Sequence, residues 1–374
     1  MNDPSRPSRA HALLRRLQRL PIPGGAITPL PLLQMARARL LRRGAPLPVE
    51  AHAVRSWQIA PGHTVRVPPA YFLPGQLERV TGWAFMDEHP ARQMHGGFEQ
   101  RHGPTRALLL EDVLLVDGVL YGGEGCTHLS PRRRRVPQLH VDVEIDHAAL
   151  GCSAHGNQYF GSWMMDDAPR HRLAEAHGVP VVTELDPAEH IRQYSAWLGI
   201  RPRRLAGAWL RQLVVFDDVG QNRDKASRAA AIRARLLHCS GPRERHPGVF
   251  VLRGTAGLRR VLRGERELAE HLARSRGLRI LDPLAVDVPT IVATCAGAEL
   301  VVGVEGSALV HATQLLGPGG KMVVLQPPDR FCAVYKHLAD RDAQHFGFVV
   351  GTKHGEDFAI PTDEVERTID LLPH

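Results

Sequence analysis

Hydrophobic and polar positions follow two rhythms along this chain. Short apolar runs close on glycine or an acidic residue, and between them lie stretches whose apolar residues recur every three or four positions. The first rhythm predicts buried strands and the second helices. Residues 293–328 show both in sequence. Residues 299–303 read as a buried parallel strand, 303–307 as a turn of small residues, and 308–316 as a helix. Gly317 to Gly320 break that helix, and residues 321–325 supply the next strand. This is a complete βαβ unit. Ser307 is placed to cap the helix, so that free N–H groups and the positive dipole end would face the turn. Such a turn suits a nucleotide diphosphate.

The same rhythms run through the rest of the chain. Residues 62–80 read as a strand leading into a proline-broken loop. Residues 107–116 and 119–121 are two strands joined by Asp117-Gly118, a tight-hairpin dipeptide. The basic cluster Arg132 to Arg135 reads as a loop. Residues 139–145 alternate strictly, placing Asp142, Glu144 and Asp146 on one face. That pattern fits a half-exposed strand, and it also has the spacing of a metal-binding carboxylate pair. Residues 156–177 read as a glycine-led helix, 178–183 as a strand, 186–198 as a helix, 205–218 as a strand and 223–238 as a helix. The polar, proline-containing stretch 239–247 marks a boundary. Beyond it come a strand at 249–252, a basic loop at 254–263, a helix at 265–277, a strand at 278–281 and a helix at 289–297. After the βαβ unit, a last strand (345–350) and a last helix (362–372) complete the chain. The pattern predicts an α/β chain of two Rossmann-like, doubly wound domains, 61–240 and 248–374, facing each other across a cleft. A leader, residues 1–60, precedes them.

Composition narrows the partners. The chain has 374 residues, 43% hydrophobic and 23% charged, and a net charge of +8 carried by arginine. This balance suits anionic partners such as nucleotide sugars or anionic membrane surfaces, and it also fits a GC-rich coding bias. Residues 1–45 hold nine arginines and one acidic residue, which would allow peripheral contact with an anionic membrane or simply form a loose leader. The five cysteines are scattered with no CxxC pair, as expected of free thiols in a reducing cytoplasm. No run of apolar residues is long enough to span a bilayer. Nucleic-acid binding is not expected, because the arginines lack aromatic interleaving or a recognition motif.

Candidate chemistry gathers at three places. Arg253 comes directly after the strand at 249–252, and Arg259, Arg260 and Arg263 come soon after; arginine's planar fork suits phosphate. The turn Gly303-Val-Glu305-Gly306-Ser307 would hold phosphate through its backbone. A carboxylate at Glu305 would oppose that phosphate, so it should point toward a sugar hydroxyl or an arginine. Asp166 and Asp167, in the stretch 163–170, are candidate general bases. Adjacent helical residues diverge by about 100°, so only one of the two can face a cleft. The chain has no phosphate-cradling P-loop, GxSxG elbow, HExxH or CxxC, so no dedicated metal site is expected.

In their order, these pieces resemble glycosyltransferase family 61, whose bacterial members include capsular-polysaccharide biosynthesis proteins. The family's N-x-x-H-W-L-x-D-x-x-P-R stretch is similar to residues 161–170, with Ser162, Trp163, Asp166 and Arg170 in register. Its R-R-x-x-N-E-x-E-L stretch is similar to Arg259-Arg260 and then Gly264-Glu265-Arg266-Glu267-Leu268. Its I-V-G-x-H-G-A-G-L stretch is similar to residues 300–309, with Gly303, Glu305, Gly306 and Ser307 at the turn. Ser162, Gly264 and Glu305 stand where the family carries His, Asn and His. The resemblance implies a GT-B-like architecture and an inverting, metal-independent transfer from a nucleotide sugar, with no further cofactor. The donor side would comprise Arg253, Arg259, Arg260, Arg263, Glu265, Gly303, Glu305, Gly306 and Ser307. The acceptor side would comprise Ser162, Trp163 and Arg170, with Asp166 or Asp167 catalytic. The implied acceptor is a bacterial surface or capsular glycan, reached from the cytoplasm or the inner face of the membrane. The replaced histidines also fit a second reading, a glycosyltransferase-like protein that binds a glycan or partner without transferring sugar.

Overall fold

The computed structural model describes residues 47–84, 90–123, 125–130, 143–254 and 260–373. Residues 1–46, the Arg132–Arg135 cluster, Asp142 and Arg259 lie outside the described residues.

The chain opens with β1 (Arg55–Ala60) and β2 (His63–Arg66). After helix α1 (Pro90–His95), β3 (Glu99–His102) pairs with β2. Strands β4 (Thr105–Val116) and β5 (Val119–Gly122) form the expected hairpin. Its turn residues Asp117 and Gly118 have φ of 46° and 75°, the left-handed pair that matches the twist of joined strands. Next come β6 (Gly125–His128), β7 (Glu144–Leu150), α2 (Ala154–Gln158) and α3 (Phe160–Ser162). A π turn (Trp163–Asp167) leads into α4 (Ala168–His177) and β8 (Val179–Thr183). The first half closes with α5 (Glu189–Leu198), β9 (Arg203–Leu205), β10 (Gly207–Asp217) and α6 (Arg223–Cys239).

The first sheet is ordered β6-β5-β4-β10-β7-β8-β9, with β1 paired to β4. Strands β10, β7, β8 and β9 run parallel, whereas β1, β4, β5 and β6 pair antiparallel. It is therefore a mixed sheet rather than the doubly wound parallel sheet expected, because a two-residue hairpin can join only antiparallel strands. The leader expectation also changes: β1 falls within residues 1–60 and is an integral strand.

The second half runs β11 (His246–Val251), α7 (Glu265–Arg276), β12 (Arg279–Leu281), α8 (Val288–Cys295) and β13 (Ala298–Val304). It continues with α9 (Ser307–Thr313), β14 (Lys321–Gln326), α10 (Val334–Arg341) and β15 (His345–Val350). A small hairpin, β16 (Thr352–His354) and β17 (Asp357–Ala359), precedes α11 (Thr362–Asp370). The order β12-β11-β13-β14-β15 is parallel throughout, as continuous apolar runs such as residues 300–304 require.

The boundary at 239–247 does not separate the packing. One core cluster joins Met164, Tyr194 and Ile232 of the first half to Val251, Leu309 and Val310 of the second. Residues 70–84 also leave the first half and strap the free edge of β15. Tyr71 N–H donates to the Phe346 carbonyl, Phe348 N–H donates to the Tyr71 carbonyl, and the Phe72 ring stacks on Phe348 at 4.7 Å. The Val350 N–H donates to Gln76 Oε1 at 2.5 Å, and both Arg79 Nη atoms donate to Glu364, at 2.7 and 2.8 Å. A strap of this kind covers an edge that would otherwise recruit another strand.

Two local expectations are corrected. The stretch 156–177 is not one helix: Tyr159 is extended at φ −126°, and the π turn separates α3 from α4. Pro169 has no N–H to donate to the carbonyl four residues back, which favours the wider turn before it. Ser307 does not cap α9. Gly306 occupies the cap position at φ 142°, and Ser307 is already helical. The helix ends at Thr313, three residues short of the expected 316.

Candidate active site

The carboxyl ends of the parallel strands in the second sheet bring most of the expected donor-side residues together. Arg253 lies just beyond β11 and is buried; its guanidinium lies against the backbone of Gly306, so that a Cβ on Gly306 would stand 1.9 Å from Arg253 Nη1. Arg260 packs at the same turn and pairs with the buried carboxylate of Glu305. Of the two directions expected for Glu305, toward a sugar hydroxyl or toward an arginine, the arginine is the one observed. Burial, then the neighbouring Arg260, lowers the pKa of Arg253 from its ordinary value. Two guanidiniums thus face one carboxylate at the turn after β13.

Neighbouring side chains fix this arrangement. Tyr335, at the start of α10, donates its hydroxyl to the Gly306 carbonyl at 2.6 Å. Burial, then Glu305, raises the phenol well above its usual range, so it remains a donor. Glu265, at the first turn of α7, folds back to accept from the N–H groups of Arg253 and Gly254 at 2.8 and 2.9 Å. Burial raises its pKa, and those two N–H groups oppose the shift. Glu265 therefore shapes the loop after β11. Gly303 is needed where β13 passes β11, since a Cβ would stand 2.7 Å from the Val251 carbonyl oxygen. Arg263 is not part of the cluster: it is exposed and reaches Asp357 at 3.8 Å.

The first half meets this turn through α3. A Cβ on Gly161 would lie 3.2 Å from Ser307 Oγ, so the two glycine-led segments touch. Beside them, Phe160 stacks on His311 of α9 at 4.1 Å, and the Tyr194 hydroxyl lies 3.0 Å from His311 Nδ1. Burial, then His190, pushes His311 down to about 3, so it is a neutral ring that joins the halves. Its place within an apolar helix was the only sequence signal for it.

The two aspartates diverge, as adjacent helical residues must. Asp166 is partly exposed and accepts from Lys225 Nζ at 2.6 Å. Lys225 is buried and also donates to the Asp218 carbonyl at 2.9 Å. Asp218 in turn accepts from Thr105 and takes a paired contact from Arg228 at 2.7 and 3.0 Å. Asp167 is 2% exposed; its two oxygens accept from Ser153 N–H at 3.0 Å and from Arg170 Nη1 at 2.7 Å. Burial pushes it up to about 6 against the pull of Arg170. Asp167 and Arg170 thus pin α2 to α4. Ser162 is half-buried at the end of α3, and Trp163 opens the π turn.

Of the alternating carboxylates near β7, Glu144 is paired with Arg211. Among the described residues, no three His, Cys, Asp or Glu side chains converge as a metal site. None of their helices is long and apolar enough to cross a membrane.

Residues 147–323 match the family model for Glycosyltransferase 61. Over that stretch the chain carries a glycosyltransferase family 61 region. The family region runs from β7 to the start of β14, and so contains Asp166, Arg253, Arg260 and the Glu305–Ser307 turn. It also contains both Gly161 of α3 and Ser307 of α9, which touch across the two halves. No curated protein matches the chain significantly. A family 61 region indicates a glycosyltransferase, and the arginine-lined turn is the part of it with the chemistry to meet an anionic leaving group.

Proposed function

We propose that the protein is an inverting, metal-independent glycosyltransferase of GT-B type. It would move a sugar from a nucleotide-sugar donor to a bacterial surface or capsular glycan. The observation that carries this reading is the convergence of Arg253 and Arg260 on the Gly306 turn, beyond the carboxyl ends of parallel strands. Ligands of open α/β sheets bind at such ends, and paired guanidiniums stabilise a departing diphosphate where a cation would otherwise serve. An acceptor hydroxyl attacks the anomeric carbon as the bond to the diphosphate oxygen breaks and its electron pair leaves with the phosphate. Asp166, with one oxygen held by Lys225 and its side chain open to solvent, takes the hydroxyl proton. Ser162 and Trp163 serve the acceptor side. On this reading the protein works in the cytoplasm, and its positive charge favours the inner face of the membrane.

Calorimetric titration with a panel of nucleotide sugars, and then a transfer assay with those that bind, tests the proposal. Arg253→Ala is expected to weaken donor binding, and Asp166→Asn to abolish transfer while leaving donor affinity nearly unchanged. Full transfer by Asp166→Asn would remove it as the base. Absence of binding by every nucleotide sugar would overturn the reading.

One observation favours a second reading, a glycan- or partner-binding protein without transfer. Glu305 already neutralises Arg260, and Glu265 already occupies the N–H groups of Arg253 and Gly254. Donor binding in the same titration separates the two.

A further inference from the structure

A second cavity, separate from the arginine cluster, lies beyond the carboxyl ends of β7 and β8 in the first sheet. It has a volume of about 170 Å³, smaller than the ~300–1,000 Å³ typical of sites for drug-sized ligands. One wall is aromatic, formed by Tyr159, Phe160 and Trp163; the polar lining includes Asn157, Asp167 and Ser195. A pyranose ring has the matching character, with an apolar C–H face and a rim of hydroxyls that both donate and accept hydrogen bonds.

The aromatic wall is also the partition between this cavity and the donor-side turn. Phe160 lines the cavity and stacks on His311 of α9. Gly161, the next residue, touches Ser307. Trp163 lines the cavity, and the π turn it begins carries Asp166. A ring in the cavity would therefore sit one wall away from the turn that faces the diphosphate. The extended conformation of Tyr159, which separates α2 from α3, gives the cavity its mouth: Tyr159 is 36% exposed there.

We propose that this cavity is a secondary acceptor subsite that takes one neutral pyranose ring of a glycan, set back from the ring that reacts, with its apolar face against the aromatic wall. This rests on the glycosyltransferase reading for the word acceptor, and on the cavity alone for the sugar. The donor's own sugar is the other source of the same ring chemistry.

Saturation-transfer NMR on the full chain tests the proposal with methyl glycosides of glucose, galactose, mannose and N-acetylglucosamine, without nucleotide. At least one glycoside should bind, with saturation strongest on the protons of one ring face. Ser195→Phe, which fills the cavity from α5, should abolish that signal. Tyr159→Ala, a deletion at the mouth that adds no bulk to the core, should weaken binding about tenfold, the value of one good contact. It carries the test if Ser195→Phe fails to fold. Added nucleotide sugar should leave the glycoside bound. Absence of binding by all four glycosides, or wild-type binding by either folded variant, would overturn the subsite. Displacement by nucleotide sugar would assign the ring site to the donor instead. Failure of the donor reading is separate: it would appear as glycoside binding without any nucleotide-sugar binding.

Discussion

Gly306 is the residue on which the candidate site turns. Its φ of 142° is a conformation that side chains oppose, and a Cβ there would collide with the Arg253 guanidinium at 1.9 Å. Gly306→Ala should therefore cost about 1–3 kcal/mol of stability and displace Arg253, weakening donor binding. Thermal unfolding and donor titration measure the two effects. If the collision with Arg253 is part of the cost, combining Gly306→Ala with Arg253→Ala should recover some of the lost stability; simple additivity would assign the whole cost to the backbone. At this scale the sequence was partly legible. That Glu305 would turn away from a phosphate could be inferred from charge alone, which left a sugar hydroxyl or an arginine as its partner. Lys225, Tyr335 and His311 were not legible, because each gains its role from a partner brought close only by folding: Asp166, the Gly306 carbonyl and the Phe160 ring. Ser307 misled, since the residue type suited a cap while the glycine before it took that position.

At the scale of elements, apolar rhythm was a good guide wherever an element is buried along its whole length. The parallel strands β11 to β15 and the helices α7, α8, α9 and α11 lie close to where the pattern put them, whereas α10 and the β16–β17 hairpin had no prediction. It failed where structure depends on a missing or distant hydrogen bond. The π turn arises beside Pro169, and the strap at residues 70–84 has no periodicity because its partners are distant in the chain, on β15, on α11 and at Pro328 and Phe331. Gln76 shows what the strap contributes. It is 1% exposed and accepts from the Val350 N–H at the end of β15. Gln76→Ala leaves that N–H buried without its acceptor and should destabilise the protein by about 1–3 kcal/mol. Urea unfolding reads the loss directly, and a change within error would show that water replaces the amide.

For the whole molecule, the joined halves make a prediction about acid. Asp167 has a folded pKa of about 6, above its ordinary value of 3.8. Between those values the folded protein keeps a proton that the unfolded chain releases, so this contribution to stability falls as pH rises from about 4 to about 6. His311 behaves oppositely. Its pKa is about 3 in the fold against 6.5 ordinarily, so its contribution is intact above 6.5 and is lost as pH falls toward 3. Between about pH 4 and 6 the two partly cancel. Asp167→Asn removes the compensating group, and the stability lost from pH 7 to pH 5 should grow by about 1 kcal/mol relative to wild type. Urea unfolding at both pH values checks this; an unchanged difference would exclude Asp167 as the titrating group.

The strap also bears on how the chain is made. Arg79 bonds to the Val350 carbonyl, a partner 271 positions later in the chain. Chains leave the ribosome amino end first, so residues 70–84 emerge long before the edge they cover exists. Thr81, Gly82 and Ala84 can pair with Pro328 and Phe331 before β15 is synthesised, but until then Tyr71, Gln76 and Arg79 lack their partners on it and the second sheet has no lid on its last edge. The middle of the chain can fold in order of synthesis, but its closing step waits for the final quarter. Shortening the chain after residue 340 should therefore release residues 71–79 as well as remove the strand, and limited proteolysis within 71–79 would report it.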